Sequence, residues 1–151
     1  MSSLIVRAAT PDDQPAWLRL WRANCAHYGK AMPEADDREL WRRIIDANEP
    51  VGALVAGSGI PGGALLGLAH YVVHPHTFSQ QMVCYLEDLW VDPQARGAGL
   101  GRSLIEALVE RGRAHSWRRV YWHASAENAG ARALYDRIAR LTDHVRYEIA
   151  L

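Results

Sequence analysis

The chain is short of several things that would each have pointed to a particular kind of protein. Among its 151 residues are two cysteines, Cys25 and Cys84, with no C-x-x-C spacing between them. That excludes a disulfide framework and a cysteine-rich zinc site, and it suits a reducing, cytoplasmic setting. There is no excess of charge: 17 basic and 17 acidic side chains cancel, so no bulk field draws the protein to nucleic acid or to a membrane surface. No apolar run approaches the roughly 18 residues of a spanning helix. The opening M-S-S-L-I-V-R-A-A-T lacks the charged start and long apolar stretch of a secretion signal. There is one lysine, Lys30; the other cations are arginines, whose planar guanidinium favours a bidentate grip on phosphate or carboxylate. No repeat, low-complexity tract or linker interrupts the chain, and residues 1–151 read as one domain, long enough to bury about two thirds of its unfolded surface.

What is there follows an alternating pattern. Leu4–Ala8 reads as a first strand, and Thr10-Pro11-Asp12-Asp13 supplies a cap, an early proline and two acids suited to a helix N-terminus. A helix to about Tyr28 carries Trp17, Leu18, Leu20, Trp21 and Cys25 near helical spacing. A second helix follows Pro33 to about Ala47, with Leu40, Trp41, Ile44 and Ile45 on its apolar side; its acids Glu34, Asp36, Asp37 and Glu39 read as a solvated face. From Val51 to His74 two strands are joined across the glycine-rich turn at 57–63, and a third runs over Met82–Val91. A helix from about Gly99 to His115, a strand at Arg119–Ala124, a helix at Asn128–Ala139 and a last strand at Val145–Leu151 complete the series. Three antiparallel strands followed by β-α-β-α-β predict an α/β fold with a mixed sheet and helices on both faces.

The stretch R-G-A-G-L-G-R-S at 96–103 sits where a central strand turns into a helix. Alternating glycines at that density cost backbone entropy, so they imply close access to the backbone. A Walker-type loop fails, because arginines stand at 96 and 102 where glycine and lysine are required; the dinucleotide fingerprint fails because Gly97, Gly99 and Gly101 alternate. What remains is a turn whose N–H groups converge on an anion at a helix N-terminus, and a pyrophosphate fits that description.

The stretch V-D-P-Q-A-R-G-A-G-L-G-R-S-L-I closely resembles the signature of the GNAT superfamily of acetyl-CoA-dependent N-acetyltransferases, [QR]-x-x-G-x-[GA], with Arg96, Gly99 and Gly101 at the defining positions. E-N-A-G-A-R-A-L-Y-D-R-I-A at 127–139 is similar to that family's late helix, with Asn128 and Tyr135 on one face. The resemblance runs from about Ile5 to Tyr147. It departs where many members have Gly-Phe after this helix and R-L-T-D-H-V stands here. It implies a GNAT fold, a mostly antiparallel twisted sheet with one parallel, splayed strand pair. It also implies that acetyl-CoA is the cosubstrate and an amine the acceptor, with a homodimer as a further possibility. The coenzyme's pyrophosphate would lie on Arg96, Gly97, Ala98, Gly99, Leu100, Gly101, Arg102 and Ser103. Its pantetheine arm would lie along Leu89, Trp90 and Val91, with Asn128 as a further contact.

Acetyl transfer to an amine needs a base, oxyanion stabilisation and an acid for the departing thiolate. Glu87 and Asp88 are adjacent in an apolar strand; alternation sends them to opposite faces unless a bulge intervenes, and at least one then lies in a partly dry setting. Y-L-E-D resembles the polyamine acetyltransferases of the family, which implies that Glu87 is the base; ion pairing with an arginine or capping of a helix is the competing role. The resemblance likewise makes Tyr135 the acid, against a plain core aromatic, and leaves Asn128 both an N-cap and a coenzyme contact. His74 and His76 have no second ligand cluster near them, so no metal site is expected; they read as loop histidines that could border the acceptor pocket. Trp90 could wall the substrate channel, and Cys84 lies too far before the loop to be a nucleophile. A non-catalytic acyl-CoA sensor on the same scaffold would share the loop without needing Glu87 or Tyr135, and a nucleotide-binding α/β protein is the weaker third reading.

Overall fold

A computed structural model describes residues 3–151. Along it run β1 (Ile5–Ala8), α1 (Gln14–His27), α2 (Glu34–Ile45), β2 (Val51–Gly57), β3 (Leu65–Pro75), β4 (Met82–Val91), α3 (Leu100–Ala114), β5 (Val120–Tyr121) and α4 (Ala129–Ile138). The strands form one sheet in the order β1-β2-β3-β4-β5, antiparallel except for the parallel pair β4–β5. This is the mixed sheet that the order of elements predicts.

Alternation along the strands builds two cores. Leu54 and Ala56 of β2, Ala69 and Tyr71 of β3, and Cys84 and Leu86 of β4 face Leu100, Leu104, Ile105 and Leu108 of α3. Their neighbours Ala53, Val55, Leu68 and Trp90 face the other way, onto Trp17 and Leu20 of α1 and Trp41 and Ile44 of α2. Burial on both faces explains why β2 and β3 read as continuous apolar runs rather than as half-polar strands. Gly67 sits where α3 crosses β3, and a Cβ there would be tight, 3.2 Å from Leu104 Cδ1 and from the Trp90 carbonyl.

One buried carboxylate fastens the start of the chain. Asp13 is fully buried and accepts five hydrogen bonds: from Arg7 Nη1 and Nη2 (2.7 and 2.8 Å), the Thr10 amide and hydroxyl (2.8 and 3.0 Å), and the Gly62 amide (3.0 Å). It ties β1, the Thr10–Asp13 turn and the β2–β3 connection into one unit. The Arg7 guanidinium, with the amide donors, holds this carboxyl well below the usual carboxylate range against the opposing effect of burial.

Three expectations are corrected. The strand expected at Val145–Leu151 does not form: residues 139–151 carry no strand and all are exposed. The strand expected over Arg119–Ala124 is paired only at Val120–Tyr121, against Cys84 and Tyr85. Asp37 is not on a solvated face: it is buried, accepts from Trp21 Nε1 at 3.0 Å and lies 3.6 Å from Arg22 Nε, so it cross-ties α1 and α2.

Both cysteines are free and buried. Burial pushes the Cys84 thiol up to about 12 and raises Cys25 as well. Since the thiolate is the reactive species, iodoacetamide at pH 8 is expected to leave both unmodified in the native protein and to label both in guanidinium. Native labelling of Cys84, read by intact mass, would contradict this environment.

Candidate functional site

The glycine loop is built from the strand outwards. After β4, a single 3-10 turn at Pro93–Ala95 is capped by Asp92, which accepts from the Gln94 amide at 3.0 Å. Gly97 (φ 87°) and Gly99 (φ 82°) then take left-handed backbone, and Gly99 delivers the chain into α3 as its N-cap. The helix ladder begins only when the Ser103 amide donates to the Gly99 carbonyl at 3.0 Å. Among the described residues, no carbonyl or side chain accepts from the N–H groups of residues 96–102. A run of unspent donors at the positive end of a 15-residue helix has the chemistry to accept an anion such as a diphosphate. Ser103 differs from its neighbours in having its amide already committed.

The arginines that flank this loop are tethered. Arg96 Nε donates to the Val91 carbonyl at 3.1 Å and its guanidinium stacks 4.8 Å from the Trp90 ring centre. Arg102 pairs with Glu106 at 2.7 Å. Arg96 therefore braces the loop against the strand end and leaves the backbone N–H groups uncovered.

β4 leads into this loop with an open outer edge. β5 is paired to it only at Cys84 and Tyr85, so from Leu86 onward the outer edge of β4 has no partner among the described residues. Asp92 donates its amide inward to the Leu66 carbonyl at 2.7 Å. Alternation therefore turns the N–H groups of Leu89 and Val91 outward, to the open edge, and that of Trp90 inward. An extended amide-bearing arm can add there as a strand would. Trp90 contributes only its ring. Its Nε1 is buried without an acceptor among the described residues, and the His27 ring lies 5.4 Å away.

The bulge that would put both acids on one face is present. In the register of β3 against β4, His70 opposes Asp88 and Tyr71 opposes Leu86, leaving Glu87 as the extra residue. Cys84 and Leu86 point to α3 and Trp90 points to α1, so counting from either end puts Glu87 and Asp88 both on the α1 side. Glu87 is exposed; the Asp88 side chain is 25% exposed. Burial, then the nearby Glu87 carboxylate, raises the Tyr85 phenol above its usual value.

Behind Asp88 stands a pair that the sequence did not disclose. Trp17 Nε1 donates to His70 Nε2 at 2.8 Å, and His70 Nδ1 lies 3.0 Å from Asp88 Oδ2. An indole can only donate, so Nε2 accepts and the ring proton on Nδ1 is given to Asp88. Trp17 and His70 are both buried. The signal available in the sequence was a lone histidine in the apolar run L-A-H-Y-V-V, which does not name its partners.

Tyr135 lies on α4 with its ring edge-on to Trp122, centres 5.3 Å apart. Burial, with the neighbouring Tyr28 phenol adding to it, holds its pKa above the ordinary value, so it keeps its proton through neutral pH. Asn128 caps α4, its Oδ1 accepting from the Ala131 amide at 3.2 Å, and its NH2 has no acceptor among the described residues. His74 Nε2 bonds the Tyr121 hydroxyl at 2.7 Å and His76 Nδ1 the Ser79 hydroxyl at 2.9 Å. Among the described residues no helix is long and apolar enough to cross a membrane.

Comparison with known proteins gives the family and the fold. The acetyltransferase (GNAT) family matches residues 16–139. The D-amino-acid N-acetyltransferase HPA3 of Saccharomyces cerevisiae is 32% identical over 145 residues, covering 96% of this chain and 89% of that protein. The aminoglycoside N(6')-acetyltransferase type 1 of Stenotrophomonas maltophilia is 35% identical over 114 residues, covering 71% of this chain and 66% of that one. Among solved structures, the ribosomal-protein-alanine N-acetyltransferase of Brucella melitensis biovar Abortus 2308 superposes with a TM-score of 0.81 at 19% identity, covering 99% of this chain and 100% of its own. The aminoglycoside acetyltransferase AAC(6')-Iy with a bisubstrate analogue gives 0.83 at 19% identity, covering 99% of each. The chain belongs to the acetyltransferase (GNAT) family and is an N-acetyltransferase that draws its acetyl group from acetyl-CoA.

Proposed function

We propose that the acceptor is the primary amine of a small molecule, acetylated directly in a ternary complex, with Glu87 as general base and Tyr135 as general acid. The observation that carries this is the bulge: it brings an exposed carboxylate to the α1 side of β4, beside the point where the strand's outer edge falls open. Bound acetyl-CoA supplies the activated acetyl thioester. The amides of residues 96–102 hold its diphosphate, with Asn128 as a further contact, and those of Leu89 and Val91 align its arm; one of the latter faces the position where oxyanion charge develops. Glu87 takes the proton that makes the amine nucleophilic, directly or through water. Tyr135, protonated at neutral pH, returns a proton to the departing sulfur. Asp88, held by His70, keeps its orientation while its neighbour works. Two relatives named for acetylation of an amino acid and of an aminoglycoside support a small amine. The working form is a cytoplasmic homodimer.

The test is thiol release from acetyl-CoA with a panel of D-amino acids, aminoglycosides, diamines and polyamines. With the best acceptor, Glu87→Gln and Tyr135→Phe are each expected to lower kcat by about 100-fold, with acetyl-CoA affinity unchanged by calorimetry. Absence of thiol release with every amine, or variants that lose affinity rather than turnover, would refute the assignment.

A further inference from the structure

β4 carries two carboxylates side by side, and the fold spends only one of them. Among the described residues six carboxylates are at least partly buried: Asp13, Asp37, Asp46, Glu49, Asp88 and Asp92. Five of these lie 2.7–3.6 Å from an arginine nitrogen. Asp88 has an imidazole instead, the Nδ1 of His70 at 3.0 Å. The difference is one of geometry. A guanidinium is a fork on a long stem that can follow a carboxylate through several positions, whereas a single ring N–H offers one bond in one direction.

That ring is fixed on its other sides. His70 is 2% exposed and Trp17 is fully enclosed. The Trp17 indole donates to Nε2 at 2.8 Å, which leaves Nδ1 to carry the proton. The Trp21 ring packs against the imidazole with centres 5.0 Å apart. α1 thus holds the ring, β3 supplies it and β4 meets it.

The bond falls on the residue that closes the bulge. Ala69 opposes Leu89 and Tyr71 opposes Leu86, so His70 faces two candidates, Glu87 and Asp88, and one of them must be the extra residue. Either choice leaves the flanking pairs in register. Backbone pairing therefore does not decide between them, and the side chains do. With His70 opposite Glu87, a carboxylate one methylene longer would have to fold back to meet a ring that is held in place, and Asp88 would be left over. The pairing that forms gives the shorter acid to the ring and leaves Glu87 as the extra, exposed residue.

We infer that Trp17 and His70 are positioning residues for acetyl transfer: bonded in series to Asp88, they select the form of the bulge that presents Glu87 to the acceptor. The inference rests on Glu87 as the base, and it makes Asp88 a hydrogen-bond acceptor that sets the register.

The register is read without substrate, from nuclear Overhauser contacts between β3 and β4 in the isotope-labelled full chain. In the wild type the backbone of residue 70 should contact that of Asp88; in His70→Leu it should contact Glu87 as well, as the two pairings interchange. Turnover is read as thiol release from acetyl-CoA, with 1,4-diaminobutane, D-alanine and kanamycin assayed in turn. His70→Leu and Asp88→Ala should each lower kcat by about 100-fold, the cost of displacing a reacting group by about 1 Å. Acetyl-CoA affinity by calorimetry and the far-ultraviolet circular dichroism spectrum should not change. His70→Gln offers one acceptor and a donor, and Asp88→Asn keeps an oxygen for Nδ1–H, so each should recover about tenfold of that loss. Asp88→Asn as slow as Asp88→Ala would overturn the inference, since the charge and not the bond would then matter. So would contacts of residue 70 that stay on Asp88 alone in His70→Leu, a result that decides the matter even where none of the three amines is acetylated. Wild-type turnover in His70→Leu beside a slow Glu87→Gln would overturn the positioning role and leave the base in place. Wild-type turnover in Glu87→Gln, with the register shifting as expected, would remove Glu87 as base and leave the selection of the bulge by Trp17 and His70 standing.

Discussion

Gly101→Trp is expected to abolish acetyl-CoA binding, with no heat of titration at a hundredfold excess over the wild-type Kd, in a protein that melts within a few degrees of wild type. The position separates binding from folding because it is the one loop glycine whose backbone any residue can adopt; the positive φ belongs to Gly97 and Gly99. A Cβ at 101 would meet Val91 Cγ2 at 3.8 Å and Leu89 Cδ2 at 3.9 Å, ordinary contact distances, so the backbone accepts it. The indole beyond it crowds the junction of the loop with the Leu89–Val91 end of β4, where the coenzyme would lie. Gly99→Ala gives the complementary result. There the space is open but the left-handed backbone is costly for alanine, by about 1–2 kcal/mol, so stability falls and binding weakens only as far as the loop is distorted. Unchanged acetyl-CoA affinity in Gly101→Trp would remove the loop from the coenzyme site.

The two variants also mark what could be read from letters and what could not. The loop, β4 to the residue, and both faces of the core were legible because each is local: glycine spacing, a run bounded by turn residues, alternation. The bulge at Glu87 was foreseeable only as a condition, since register belongs to the pairing of β3 with β4 and not to either strand. His70 was hidden for the same reason: its partners, Trp17 and Asp88, lie 53 and 18 residues away in sequence. Asp37 looked like one acid among four on a polar helix face, and only the packing of α1 against α2 distinguishes it. The Val145–Leu151 alternation predicted a strand that does not form. A strand is a relation between two segments, and among the described residues none pairs with 145–151.

Asp13→Asn is expected to cost about 3–5 kcal/mol, the range for a buried ion pair that loses one partner, and to lower Tm by roughly 6–20 °C for a domain of this size. The native carboxylate is surrounded by donors alone: Oδ2 takes three and Oδ1 two. Asparagine must turn an NH2 toward one of those sets, so donors face donors and the Arg7 charge loses its counterion, while the side-chain volume is unchanged. The pH dependence follows from the same geometry. Asp13 has a folded pKa below its unfolded one; its stabilisation is therefore complete above the unfolded carboxylate value of about 3.9, and is withdrawn as pH falls below that. Wild-type stability, measured by urea unfolding between pH 7 and pH 3, should thus fall more steeply at the acid end than that of Asp13→Asn, and the two curves should converge. Because Arg7 loses its one carboxylate partner among the described residues in this variant, Arg7→Met/Asp13→Asn should be more stable than Asp13→Asn alone. Parallel pH profiles, or no gain in the double variant, would show that the carboxylate is not what fastens β1 to the β2–β3 connection.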